Sequence, residues 1–212
     1  MTAMPSGPQP FAALRQFVRR RPAAERCELC SADLAHEHQH LLEPASRRLL
    51  CCCDACAILF TGGQSGRYRR VPRHVELLPD FQMTDAQWED LHIPINLAFF
   101  FHSTTSERVV ALYPSPAGAT ESLLSLDAWR ELAEVNPLLG ALEPDVEALL
   151  VNRLGQNREY YRAPIDECYR LVGLIRANWR GLSGGAEVWE AIGGFFNDLK
   201  RRCGAAGEQA HA

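Results

Sequence analysis

The sequence predicts an α+β fold: an N-terminal metal module leading into an α+β domain closed by two C-terminal helices. Three observations carry that expectation. Two Cys-x-x-Cys units, Cys27-Glu-Leu-Cys30 and Cys53-Asp-Ala-Cys56, bracket residues 31–52. Two β-prone runs, Ile95 to His102 and Arg108 to Tyr113, flank the turn-forming Ser-Thr-Thr-Ser-Glu stretch. The last fifty residues carry two apolar stripes at helical spacing.

Taken in order, residues 1–25 are a tail and a short helix. Residues 1–9 are Pro/Gly/Ser-containing and expected to be disordered. Residues 10–20 place Phe11, Leu14, Phe17 and Val18 at helical spacing with arginines elsewhere, and Pro22 ends the pattern. Such an amphipathic helix packs on its own domain, docks a partner through Phe11, Leu14 and Phe17, or rests on a membrane surface.

Residues 26–61 hold six of the eight cysteines, which is the distribution of a metal site rather than a disulfide framework. Each Cys-x-x-Cys turn brings two thiolates close enough for one ion, and two turns complete a tetrahedron of sulfur around zinc. The intervening sequence shows how they meet. His36 to Glu43 and Arg47 to Cys52 are strand-like around Pro44-Ala45-Ser46, and Asp54 to Phe60 reads as a helix bearing the second unit. A knuckle, a hairpin and a ligand-bearing helix resemble a treble-clef zinc finger. Iron sites of the rubredoxin type carry glycine after each knuckle and proline within it; here Ser31, Ala57, Glu28 and Asp54 stand there, which favours zinc over iron. Four thiolates leave no open position for water, so the zinc is expected to be structural.

Two features near the knuckles leave alternatives open. Cys51 and Cys52 adjoin Cys53, either as small buried residues or as redox or alternate ligands. In an unbroken strand Cys51 and Cys53 would share one face. His36, His38 and His40 alternate as on one face of a strand, either solvated, facing a partner, or forming a second metal-binding or transfer site. The module is also similar to the scaffold of HNH nucleases. His40 could align with their general base, but Ala57, Ile58 and Leu59 follow Cys56 where a further histidine is expected, and that apolar helix looks made for packing.

Residues 62–66 (GGQSG) are a flexible break, and residues 67–203 form the α+β domain. Arg67, Arg69, Arg70 and Arg73 mark either a solvated edge strand or a surface for an acidic partner or nucleic acid. Thr84 and Gln87 make a capping-box signature for a helix from Asp85 to Leu91. Residues 114–122 (PSPAGATES) read as a loop. Leu126 to Val135 is a helix stopped by Asn136-Pro137, and Glu147 to Val151 and Glu159 to Arg162 are strands. Pro164 suits the first turn of a helix with Cys168, Val172, Ile175 and Trp179 on its buried stripe. The Gly-rich 180–185 turn joins it to a second helix with Val188, Trp189, Ile192, Phe195, Phe196 and Leu199 on a second apolar face and Lys200, Arg201 and Arg202 in its last turn. Gly184, Gly185, Gly193 and Gly194 read as helix-junction or close-packing glycines, and 204–212 as a disordered tail.

Composition narrows the function classes. The 212 residues are 47% hydrophobic and 23% charged, ordinary for a globular protein. A net charge of −4 gives no global pull toward nucleic acid or anionic lipid. Of the 22 basic residues Lys200 is the only lysine, a bias that fits a GC-rich genome. No apolar run of transmembrane length and no apolar signal core occur, so a cytoplasmic location is expected. No P-loop, GxGxxG or GxSxG motif is present, so a non-enzymatic role is expected.

The segments CELC, LLCCCDACAILF, IPINLAFFF, YPSPAGATES, VEALLVNRL and PIDECYRLVGLIRANWRGLSGG together resemble an uncharacterised bacterial family found mainly in actinobacteria and related phyla. The resemblance implies genes beside those for nickel–iron hydrogenase structural and maturation proteins, and so an accessory role among hydrogenase subunits or maturation factors. It implies no enzymatic activity. Cys27, Cys30, Cys53 and Cys56 are the residues that match as metal ligands.

Overall fold

A computed structural model describes residues 25–61, 66–181 and 184–209. The helix expected over 10–20, with Phe11, Leu14 and Phe17, lies outside them. The module comes first. Strands β1 (Gln39–Glu43) and β2 (Arg48–Cys52) form an antiparallel hairpin that pairs His40 with Cys51 and Leu41 with Leu50. Helix α1 (Asp54–Thr61) follows at once. Strand β3 (Arg69–Arg70) adds to the free edge of β1, so the module's sheet borrows its third strand from beyond the 62–66 break.

The rest is built on one six-stranded antiparallel sheet. Its strands are β4 (Glu76–Leu77), β5 (Leu97–Ser103), β6 (Arg108–Ser115), β7 (Gly118–Ser122), β8 (Glu147–Asn152) and β9 (Glu159–Pro164), in the order β4-β9-β8-β5-β6-β7. Helices cover both faces. On one lie α4 (Ile165–Asn178) and α5 (Gly185–Gln209), packed on Phe99, Phe101, Leu150 and Tyr161. On the other lie α2 (Asp85–Asp90), α3 (Leu126–Val135) and the 3-10 turn Pro137–Ala141, packed on Phe100, Leu149 and Tyr160. The two-sided cover explains the unbroken apolar runs. Both alternating faces of β5 and β8 must be hydrophobic, so period-2 patterning vanishes from their sequence.

Local signals place the helix ends. Thr84 caps α2 through a complete capping box with Gln87. Ser125 caps α3 by accepting from the Ala128 N–H. Asn136 stops α3, and its side-chain amide joins the Gln82 backbone to the Leu132 carbonyl. The fold is α+β with two C-terminal helices, as expected.

Four expectations need correction. The 114–122 segment is not a loop: it completes β6 and forms β7, because Pro114 and Gly118 sit at a tight edge hairpin where the Ser115 hydroxyl donates to the Gly118 carbonyl. Helix α5 runs through 204–209, where a disordered tail is expected. Lys200, Arg201 and Arg202 therefore lie before its last turn and pair instead with Glu159, Asp198 and Glu167. Gly193 and Gly194 face open space rather than a close neighbour.

Gly184 is a position where the fold requires glycine. It sits at φ +89°, and a Cβ there would lie 2.7 Å from Val188 Cγ1 and 3.2 Å from the Trp179 ring. Val188 is buried and β-branched, so it has little freedom to yield. Gly184→Ala is expected to cost about 1–3 kcal/mol, read as a lower thermal midpoint by circular dichroism. A variant melting with the wild type would contradict this.

Candidate metal centre

The two Cys-x-x-Cys units meet. The Sγ atoms of Cys27, Cys30, Cys53 and Cys56 all lie within 4.8 Å of one another. The first pair sits on a turn closed by the Ser31 N–H donating to the Cys27 carbonyl at 2.8 Å, with Ser31 at φ +63°. The second pair spans the end of β2 and the first turn of α1, where the Ala57 N–H reaches the Cys53 carbonyl at 2.9 Å. Cys30 Sγ and Cys53 Sγ are 3.7 Å apart. The edge of a tetrahedron with Zn–S bonds of about 2.3 Å is about 3.8 Å, so the donor set and its spacing fit one zinc-sized ion. All four cysteines are free of disulfides.

The surroundings favour thiolate at one corner. Burial acts to raise the Cys27 thiol, but backbone N–H groups of Cys53, Cys30 and Leu29 outweigh it and hold Cys27 down at about 6. Cys56 is pushed well up, first by burial and then by the neighbouring cysteines. Four sulfurs so close cannot all ionise without a cation between them.

Glu28, inside the first knuckle, is a residue whose role spacing alone did not show. Its N–H donates to the Cys51 carbonyl at 2.9 Å, and its carboxylate accepts from the Cys51 N–H at 2.8 Å and from Arg48 at 2.7 Å. It ties the first knuckle to β2 and so sets the height at which the two pairs face each other. The contact is non-local, and only a hairpin register could have revealed it.

The three consecutive cysteines diverge. Strand β2 ends at Cys52, so Cys51 and Cys53 do not share a face as an unbroken strand would require. Cys53 turns into the four-sulfur cluster. Cys52 is buried against Leu41, Leu50 and Ala57, and burial raises its thiol to about 11. Cys51 lies on the opposite side, across from His40. The histidine strand is also shorter than expected. His36 and Glu37 form a bend and β1 begins at Gln39, so the alternation does not reach His36.

Helix α1 is not wholly a packing helix. Cys56 and Ala57 are buried, but Ile58, Leu59 and Phe60 are 67%, 73% and 43% exposed. The arginines of 67–73 all have acceptors within the chain. Arg67 pairs with Glu43 and lies over Tyr68, Arg69 pairs with the buried Asp145, Arg70 donates to Gln39, and Arg73 pairs with Glu37. Cys168 is fully buried, and burial holds its thiol well up, as its place on the inner stripe of α4 predicts. Among the described residues no helix is long and apolar enough to cross a membrane.

No curated protein and no solved structure matches the chain. A model for a family of unknown function, DUF5947, matches residues 26–203, from the edge of the first knuckle to the inner part of α5. The chain belongs to that family.

Proposed function

We propose that this protein is a non-enzymatic zinc-binding accessory factor that works by protein–protein contact in the nickel–iron hydrogenase system. The observation that carries the zinc reading is the closed set of four sulfurs within 4.8 Å. Thiolate ligands select zinc over hard cations, and four of them give a structural site. The order of knuckle, hairpin and ligand-bearing helix supports a treble-clef-like module. The hydrogenase setting rests on the family resemblance alone.

The contact surface centres on the module. Ile58, Leu59 and Phe60 supply exposed apolar area beside the cluster. Phe11, Leu14 and Phe17 add anchors of the kind that dominate interface energies. Arg67 and Arg73, 65% and 51% exposed despite their partners, add steering toward an acidic surface.

The test is a tagged pull-down from the native host with mass spectrometry, paired with deletion of the gene. Recovery of hydrogenase subunits or maturation factors and a fall in hydrogenase activity are expected. A Phe11→Ala, Phe17→Ala variant should lose that recovery while melting near the wild type. Unchanged hydrogenase activity in the deletion strain, with no hydrogenase component recovered, contradicts the reading. Salt-dependent retention on DNA would favour a nucleic-acid-binding protein instead, and coloured protein with bound iron a redox protein.

A further inference from the structure

We propose that His38, His40 and Cys51 form a second zinc site, separate from the four-cysteine cluster, with one coordination position open to a cleft between the β1–β2 hairpin and the start of α4. Their ligand atoms lie within 4.8 Å of one another. His40 and Cys51 are direct cross-strand partners in the hairpin, so their side chains leave one face side by side. His38 comes two residues earlier, and its ring meets that of His40 edge to face at 4.8 Å.

The hydrogen bonds aim both imidazoles. His40 Nδ1 is 2.7 Å from Asp166 Oδ2, and His38 Nδ1 is 3.0 Å from the Ala35 carbonyl. A carboxylate and a carbonyl only accept, so both Nδ1 atoms carry the proton and both Nε2 atoms present a lone pair. That arrangement is the one metal-binding histidines adopt, with the far nitrogen anchored to oxygen and the near one free for the ion. The His38 side chain is 8% exposed, and its Nε2 is buried with no hydrogen-bond partner. A buried nitrogen without a partner is costly in a folded protein. An ion bound by His38, His40 and Cys51 satisfies it.

The donor set narrows the ion to a transition metal, of which zinc is the one tested. Two imidazoles and a thiolate exclude calcium and magnesium, which take oxygen. Zinc accepts that set, and three protein ligands with a fourth place left over is the pattern of zinc sites that bind something further. Binding forms the Zn–S bond as the Cys51 thiol gives its proton to solvent. The cleft at His38 and His40 has a volume of about 770 Å³ and is lined also by His36, His74, Arg170 and Arg202. A water or a small anionic ligand fits the open position. The site is distinct from the cluster: Leu41, Leu50 and Cys52 fill the other face of the hairpin and pack against Cys27 and Cys56. It also differs in anchorage, because Asp166 belongs to α4 of the large domain.

The test reads metal alone and is independent of any partner. Reduced full-length protein is loaded with excess zinc and desalted. The wild type is expected to hold about two zinc ions per chain, and His38→Ala with His40→Ala about one. Asp166→Asn keeps two, but the weaker site loses about 10–100-fold in affinity against a competing chelator, while the tighter site is unmoved. Zinc X-ray absorption on the wild type needs no variant to fold: it should show about one imidazole nitrogen per zinc when averaged over both sites. One zinc in the wild type, an unchanged count in the histidine variant, or a sulfur-only shell overturns the proposal.

Discussion

Removing the metal from the four-cysteine cluster should unfold residues 26–61 and leave the six-stranded sheet and its helices standing. The reason is the size of the module's own core. Its own cluster consists of the buried residues Cys27, Leu41, Leu50, Cys52, Cys56 and Ala57, half of them cysteines, while Leu42 packs into the large domain's core instead. Burial of so little side-chain area does not offset the ordering of some 35 residues, at about 1–2 kcal/mol each for the backbone alone. Structural zinc contributes roughly 10–16 kcal/mol of apparent binding free energy in comparable small modules, which is the missing term. The large domain has no such need, since two separate apolar clusters cover the faces of its sheet. Cys27→Ser with Cys53→Ser should therefore lose the cluster's zinc. Amides of 39–52 should exchange fast in that variant, while those of β5 and β8 stay protected. Native protease resistance from Cys27 to Phe60 after chelation would show that the metal is dispensable for the fold.

The second large effect lies in the sheet. Phe100 is fully buried at the centre of β5, stacked on Trp129 at 5.2 Å and edge-on to Trp88 at 6.4 Å. Phe100→Ala removes the ring that joins α2 and α3 to the sheet. Core truncations of this kind cost about 3–5 kcal/mol, which for a domain of this size lowers the melting temperature by roughly 10 °C. Zinc content should not change, because the site and the ring share no contact. Differential scanning calorimetry with metal analysis on the same sample checks both. A loss under about 1 kcal/mol would mean that the aromatic cluster repacks around the gap.

Much of this structure was legible in residues because its signals are local. The capping box at Thr84 and Gln87, the Asn136-Pro137 stop and the knuckle spacing each act within a few positions, and each lies where expected. Strand β7 was hidden because Gly118, Ala119 and Thr120 lack the apolar alternation of a half-buried strand; edge pairing with β6 makes it one. The extent of α5 was hidden by Gly204 and Gly207, weak helix formers that a long preceding helix carries along. The site's supports were hidden for a different reason. Asp166 reads as an ordinary first-turn acid of α4, and only tertiary packing brings it across 126 positions to His40. Glu28 reads as a knuckle filler, and only the register of β1 and β2 shows that it clamps Cys51.

The strand order of the large sheet has a consequence for how the chain is made. Its two central strands, β5 and β8, are neighbours in space but not in synthesis. At about 5–20 residues per second, the roughly 45 residues from Ser103 to Glu147 take about 2–9 s to leave the ribosome. Throughout that interval β5 can pair with β6 on one edge only, and its other edge and both faces of Leu97 to Phe101 wait for partners not yet translated. A nascent chain in this state presents the short, apolar, uncharged strand that recruits other unfinished chains. Correct folding of this protein thus depends on shielding one five-residue segment during elongation, after the whole cysteine module has already been translated.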